Sequence, residues 1–150
     1  MKLAEALMER ADLQKRMEPL GERLRNNARV QEGEAPAEDP QELLKELAQV
    51  AAQLEEITAR VNLTNSRALA EGETLTELLA RREVEQKRLA LLRSFLENAS
   101  RLFERGTRTE IKVVSTVNVR EMQKQVDKES KALRELDAKI QAANWTTELQ

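Results

Sequence analysis

Residues Leu43–Thr64, LLKELAQVAAQLEEITARVNLT, decide the fold class. Within them Leu43, Leu47, Val50, Leu54, Ile57, Val61 and Thr64 follow one another at alternating steps of four and three. A stripe of that period runs along one side of an α-helix and is held against a partner helix. Glu46, Gln49, Gln53, Glu56 and Arg60 fall outside the stripe and are expected in water.

Working outward, the same device recurs. Leu3, Ala6, Arg10, Leu13, Met17, Leu20, Leu24 and Asn27 predict a first helix over about residues 2–27. Pro19 removes the hydrogen bond to the carbonyl of Lys15, and Gly21 lowers helix propensity. The register of Leu13, Met17, Leu20 and Leu24 persists across the proline, which predicts one bent helix and not two short ones. Residues 28–39, with Gly33, Pro36 and several acidic side chains, form an exposed connection. Asp39 before Pro40 is an N-cap acceptor followed by a proline at the first helical position, so the second helix spans about 40–65. Gly72 breaks the pattern, and Thr74 with Glu77 makes a capping box that opens a third helix over about 75–103.

The second half of that helix is apolar on more than one side, through Leu89, Leu91, Leu92, Phe95, Leu96, Ala99, Leu102 and Phe103. After Gly106 the period changes. Ile111, Val113, Ser115, Val117 and Val119 alternate with Lys112, Val114, Thr116 and Asn118, which predicts a short strand over about 110–114. A lone strand is unstable in water, so its partner is expected in residues 28–31 or in the same strand of another subunit. Asn118 with Glu121 caps a fourth helix over about 119–144, with Val119, Met122, Val126, Glu129, Leu133, Leu136, Ile140 and Ala143 in register. The expected fold is mainly α, a single domain over residues 1–150. It is an elongated antiparallel four-helix bundle, coiled-coil-like, with a short β element before the last helix.

Composition agrees and removes several chemistries. The 150 residues are 40% hydrophobic and 35% charged, with two Phe, one Trp and no Tyr, a balance typical of long helices. The formal net charge of −2 mixes both signs along the chain, without a basic footprint for nucleic acid. Cys and His are absent, which excludes disulfides, Cys nucleophiles, Ser-His-Asp catalysis and Glu-x-x-His metal pairs. No cofactor or metal site is expected. Residues 1–7 do not resemble a secretory signal, and no run approaches the ~20 apolar residues that span a bilayer, so a cytoplasmic location is expected.

Some polar residues occupy seam positions. In the series Leu78, Arg82, Glu85, Leu89, Leu92 and Leu96, two charged side chains stand where leucine otherwise would. If the helices alternate in direction, Arg10, Asn62, Asn65, Arg82, Glu85 and Trp145 gather at one end. The simplest role for such a layer is mutual pairing that fixes register. A sharper one is a pocket in which Arg10 and Arg82 bind a small anion beneath Trp145. Snorkelling of both arginines to solvent is a third. Glu129 is expected to pair with Arg93 across an antiparallel contact.

Other functional classes receive weaker support. Glu42 with Glu46, and Glu135 with Asp137, are spaced like the carboxylate pairs of helical magnesium-dependent nucleotide hydrolases, but such pairs arise by composition in a Glu-rich chain. An RNA-binding helical hairpin would draw on Arg81, Arg82, Lys87, Arg88, Arg93, Arg101, Arg105 and Arg108. It lacks aromatic stacking residues, and acidic neighbours offset its field. No helix joins a lysine-rich face to a continuous aromatic one, which disfavours a membrane surface.

Certain motifs, taken as a set, resemble the septicolysin-like family of small bacterial proteins over nearly the whole chain. They are Met1-Lys-Leu-Ala-Glu-Ala-Leu, Ala11-Asp-Leu-Gln-Lys-Arg, Val30-Gln-Glu-Gly, Ala37-Glu-Asp-Pro, Asn62-Leu-Thr-Asn65, Thr74-Leu-Thr, Ala80-Arg-Arg, Arg108-Thr-Glu-Ile-Lys and Asn144-Trp-Thr-Thr. The resemblance implies no catalytic residue and no cofactor. The family's name suggests a cytolysin, for which this sequence offers no secretion signal, cysteine or membrane-inserting segment. The sequence therefore points to a non-enzymatic assembly protein and a homo-oligomer. Its expected interface is Phe95, Leu102 and Phe103 with Ile111 and Val113, and binding of a small anion is the alternative.

Overall fold

The structure, a computed structural model, describes residues 1–102 and 111–150. Its elements in chain order are helices α1 (Leu3–Asn26) and α2 (Pro40–Arg67), strands β1 (Leu69–Ala70) and β2 (Glu73–Thr74), and helices α3 (Leu75–Ser100) and α4 (Val119–Thr146). Among the described residues the chain is thus mainly helical, with four helices and one small two-stranded sheet. It divides into two compact units, Met1–Leu69 with Ala142–Gln150, and Ala70–Gln141.

In the first unit the seam of α2 is buried as its spacing requires. Leu43, Val50, Ile57, Val61 and Thr64 are buried, and Leu47 and Leu54 are half-buried. Leu3, Ala6, Leu13 and Leu20 are the buried residues at heptad spacing on α1. The two helices run antiparallel: Arg23 near the end of α1 reaches Glu46 near the start of α2 at 3.7 Å. Pro19 lies within α1 on its exposed side and does not divide the helix, so the carbonyl it leaves unpaired is open to water.

Asn27, buried at the end of α1, fixes the connection that follows. Its Nδ2 donates to the Arg23 carbonyl at 2.8 Å, and its Oδ1 accepts from the Glu38 amide at 2.9 Å. Asp39 caps α2 by accepting from the Gln41 amide at 2.9 Å, with Pro40 at the first helical position. The residues after α4 return to this unit in extended form. Leu3 N donates to the Thr147 carbonyl at 2.9 Å, and Leu149 N to the Met1 carbonyl at 2.9 Å.

The second unit opens with the turn of the β1–β2 hairpin. Glu71 (φ 52°) and Gly72 (φ 89°) both adopt left-handed backbone, the geometry that matches the twist of a tight hairpin. Thr74 then caps α3: its Oγ1 accepts from the Glu77 amide at 3.2 Å, while the Glu77 carboxylate accepts from the Thr74 amide at 2.8 Å. Asn118 Oδ1 caps α4 by accepting from the Glu121 amide at 3.1 Å. Polar contacts from Arg82 to Asp137 and from Arg93 to Ser130 set α3 and α4 antiparallel. Among the described residues, Leu75, Leu78, Leu89 and Leu96 of α3, with Val126 and Ile140 of α4, are the unit's buried apolar side chains.

Two expectations are corrected. Ile111 lies in a bend, and residues 112–114 are not a strand, while Glu110 lies outside the described residues. Residues 28–31 likewise form no strand, so the β-branched run meets no ladder partner among the described residues, and without one the extended pattern has nothing to hold it. Ser115 instead turns the chain locally, its Oγ donating to the Val117 carbonyl at 2.9 Å. The small sheet precedes α3, not α4. The third helix ends at Ser100, and Phe103 lies outside the described residues.

Candidate functional site

A polar cluster lies along α3 and α4 in the second unit. The seam of α3 carries Arg82 and Glu85 between the buried leucines Leu78 and Leu89. Arg82 Nη1 donates to Asp137 Oδ1 at 2.7 Å. Arg88 Nη2 donates to Glu85 Oε2 and to Glu129 Oε2, both at 2.8 Å, and so ties a turn of α3 to α4. The two carboxylates hold the Arg88 guanidinium above its ordinary range, Glu85 contributing first and Glu129 second. The hydrogen bond from Arg88 in turn lowers the Glu85 carboxyl. Arg93, expected opposite Glu129 from its spacing, donates through Nη2 to Ser130 Oγ at 2.7 Å, and Glu129 pairs with Arg88.

At the hairpin end of the same unit Arg81 pairs with Glu73. Lys139 of α4 reaches Glu71 at 3.0 Å and Glu73 at 3.7 Å. The Arg81 hydrogen bond is the main cause of a lowered Glu73 carboxyl, with Lys139 adding to it. A concave space of about 300 Å³ is bordered by Arg81, Glu85 and Glu129 on its polar side and by Ala132, Leu133 and Leu136 on its apolar side. Glu85 beside it is held in the ionised form by Arg88, and a carboxyl lowered in this way is a poor proton donor at neutral pH. The arrangement suits fixed charge pairing better than acid–base work.

The remaining candidates lie in the first unit. Arg10 is half-buried on α1, Asn62 is exposed and Asn65 half-buried on α2, and Trp145 is 56% exposed. Among the described residues none of these four side chains hydrogen-bonds to another. The carboxylate pairs singled out by spacing have basic neighbours: Glu46 approaches Arg23 at 3.7 Å, Asp137 holds Arg82, and Glu135 faces Lys131 at 3.9 Å. A second concavity of about 400 Å³ in this unit is lined by Arg23, Glu38, Asp39, Glu42, Leu43, Lys45, Glu46 and Gln49. There the Arg23 guanidinium, hydrogen-bonded to Glu38, holds that carboxyl below its usual value. Among the described residues no group of three or more acidic side chains is placed to hold a metal ion.

Sequence reading missed Arg88 and Asp137 as members of the α3–α4 cluster. The three-residue step from Glu85 to Arg88 was the available signal for the first, since such neighbours meet on a helix surface. The partners on α4 depend on the register between two helices, which spacing within one helix does not report.

A family model described as a family of unknown function, DUF6847, matches residues 10–149. The chain belongs to this family. A crystal structure of a functionally unknown conserved protein from Corynebacterium diphtheriae is similar to this DUF6847 member, with 40% sequence identity and a TM-score of 0.89. The similarity covers 100% of this chain and 99% of that one. A search of curated proteins gives no match. Among the described residues of this family member no helix is long and apolar enough to cross a membrane.

Proposed function

We propose that this DUF6847 member is a non-enzymatic assembly protein that forms a homo-oligomer through the outer side of α3. One observation carries the reading. Val84, Leu91 and Phe95 of α3 stand at steps of seven and four, on a stripe separate from the buried Leu78, Leu89 and Leu96, and all three are exposed, as is Leu102 just past the end of the helix. Leu91 is 73% and Phe95 45% accessible. Ile111, Val113 and Val114 add further exposed apolar side chains after the helix. Single exposed leucines are ordinary, but a heptad-spaced row on a helix is the pattern of a partner surface.

The anion-binding alternative draws less support. Arg82, its central cation, already donates to Asp137, and Arg88 beside it is held by two carboxylates. A cytoplasmic location belongs to the assembly reading as well.

The test is light scattering on Leu91→Glu and Phe95→Glu. Each variant keeps its far-UV circular dichroism and shifts the mass toward the 17.1 kDa monomer. An unchanged mass for both variants would contradict the interface.

A further inference from the structure

A different feature, in the first unit, carries an inference of its own. Thr64 is a fully buried polar side chain near the end of α2. Its Oγ1 donates to the Arg60 carbonyl at 2.8 Å and accepts from the Gln150 amide at 3.0 Å. Arg60 Nε donates to the Gln150 carbonyl at 3.1 Å, and Arg67 Nη1 to Gln150 Oε1 at 3.2 Å. Residue 150 is therefore recognised by α2 through its amide, its carbonyl and its side chain. Two residues earlier, Lys2 and Glu148 form an antiparallel bridge, flanked by the hydrogen bonds from Leu3 to Thr147 and from Leu149 to Met1. The Lys2 ammonium also pairs with the Glu148 carboxylate.

The pattern is that of an extended segment paired through one bridge with the residues that open α1, and read at Gln150 by side chains of α2. What holds the segment is largely hydrogen bonding. Glu148 and Gln150 are exposed, Thr147 and Leu149 are half-buried, and none of residues 147–150 joins the buried apolar set. By contrast α1 and α2 are held by Leu13, Leu20, Leu43, Val50, Ile57 and Val61. Elements with few buried apolar contacts open locally at lower cost than the core beside them.

We propose that the start of α1 and the Arg60–Thr64–Arg67 side of α2 form a seat for an extended peptide, occupied in cis by residues 147–150 acting as a strap that detaches and reseats while α1 and α2 stay folded. Opening the strap frees the Lys2 and Leu3 backbone edge together with the Thr64 hydroxyl and the Arg60 guanidinium. The ligand class follows from those groups: an extended backbone that presents an amide to Thr64 and a carbonyl to Arg60, with an acidic side chain two residues earlier for Lys2.

Hydrogen exchange on the full chain, read amide by amide, tests the strap. The Leu3 and Leu149 amides are expected to exchange by a local opening at least tenfold faster than Val61 and with little dependence on denaturant. In Thr64→Val, loss of about one hydrogen bond raises their exchange about fivefold and leaves Val61 unchanged. Exchange of Leu3 and Leu149 at the rate and denaturant dependence of Val61 would overturn the proposal. A chain ending at Thr146 tests the seat. It is expected to remain folded and to shift its Leu3, Arg60 and Thr64 amide resonances on addition of millimolar Trp-Thr-Thr-Glu-Leu-Gln peptide, the affinity range in which linkage within one chain compensates for a weak contact. Loss of folding in that chain, or a folded chain with no shifts, would each overturn it.

Discussion

Leu43 and Leu44 are adjacent leucines on the first turns of α2, and the seam assigns them opposite fates. Leu43 is 3% and Leu44 48% accessible. Replacing either by alanine removes the same atoms and leaves helix propensity nearly unchanged. At Leu43 the loss of three buried carbons costs about 2.4 kcal/mol at ~0.8 kcal/mol per methylene. Incomplete collapse of the space left behind brings the total to about 3 kcal/mol, within the ~2–5 kcal/mol seen for such truncations. At Leu44 half the side chain is already in water and its neighbourhood is free to relax, so the expected cost is below ~1 kcal/mol. The assay is urea unfolding followed by circular dichroism at 222 nm, about the wavelength used for helix, with the slope held common between variants. For a chain of this size each kcal/mol corresponds to roughly 2–4 °C, so thermal melts should fall by about 6–12 °C for Leu43→Ala and by less than about 4 °C for Leu44→Ala. Equal losses, or a larger loss at Leu44, would refute the seam.

Further outcomes follow from the caps, the hairpin and the charge pairs. Thr74→Ala removes the acceptor for the Glu77 amide and should cost about 1 kcal/mol, measured by urea unfolding, whereas Thr76→Ala, on an exposed position of α3, should change stability by less than ~0.5 kcal/mol. Glu71→Asn should raise the melting temperature by about 2 °C, because asparagine tolerates the left-handed backbone better than glutamate and the Lys139 contact it removes is solvent-exposed on the Glu71 side. Stability should be flat between about pH 6 and 8, where a chain without histidine has no side chain that ordinarily titrates. Below the ordinary glutamate value of 4.5 it should fall. Glu38, Glu73, Glu77, Glu85 and Glu148 all have lowered native values, so their contribution is complete above 4.5 and is lost as pH drops through those native values. A urea midpoint that rose on acidification would reverse that sign.

Local chemistry was the legible part. Asp39 with Pro40, Thr74 with Glu77, and Asn118 each mark a helix start in the sequence, and each makes its capping hydrogen bond in the structure. The α2 seam was legible because burial against one neighbour imposes a period on the residues themselves. The run around Ile111 shows the limit of that reasoning. Alternation reports what a strand would bury, not whether a partner edge exists, and no edge meets residues 111–114 among the described residues.

In the sequence the hairpin shows only as a helix break, because glutamate at its first left-handed position is not the asparagine or glycine that signals such a turn. The pairing of residues 147–150 with Met1 and Leu3 joins positions more than a hundred residues apart and leaves no periodic trace. The cluster on α3 was half visible. Charged residues at the seam positions of Arg82 and Glu85 were evident, while their partners Asp137 and Arg88 depended on helix register and rotamer. The outer stripe of α3 was visible through Leu91 and Phe95, and exposure added Val84 to it.

Assembly through that stripe is the central claim, and native mass tests it most directly. Light scattering on the untagged chain at micromolar concentration should return a whole multiple of 17.1 kDa, at least a dimer. A single species at 17.1 kDa, unchanged across a tenfold rise in concentration, would contradict it.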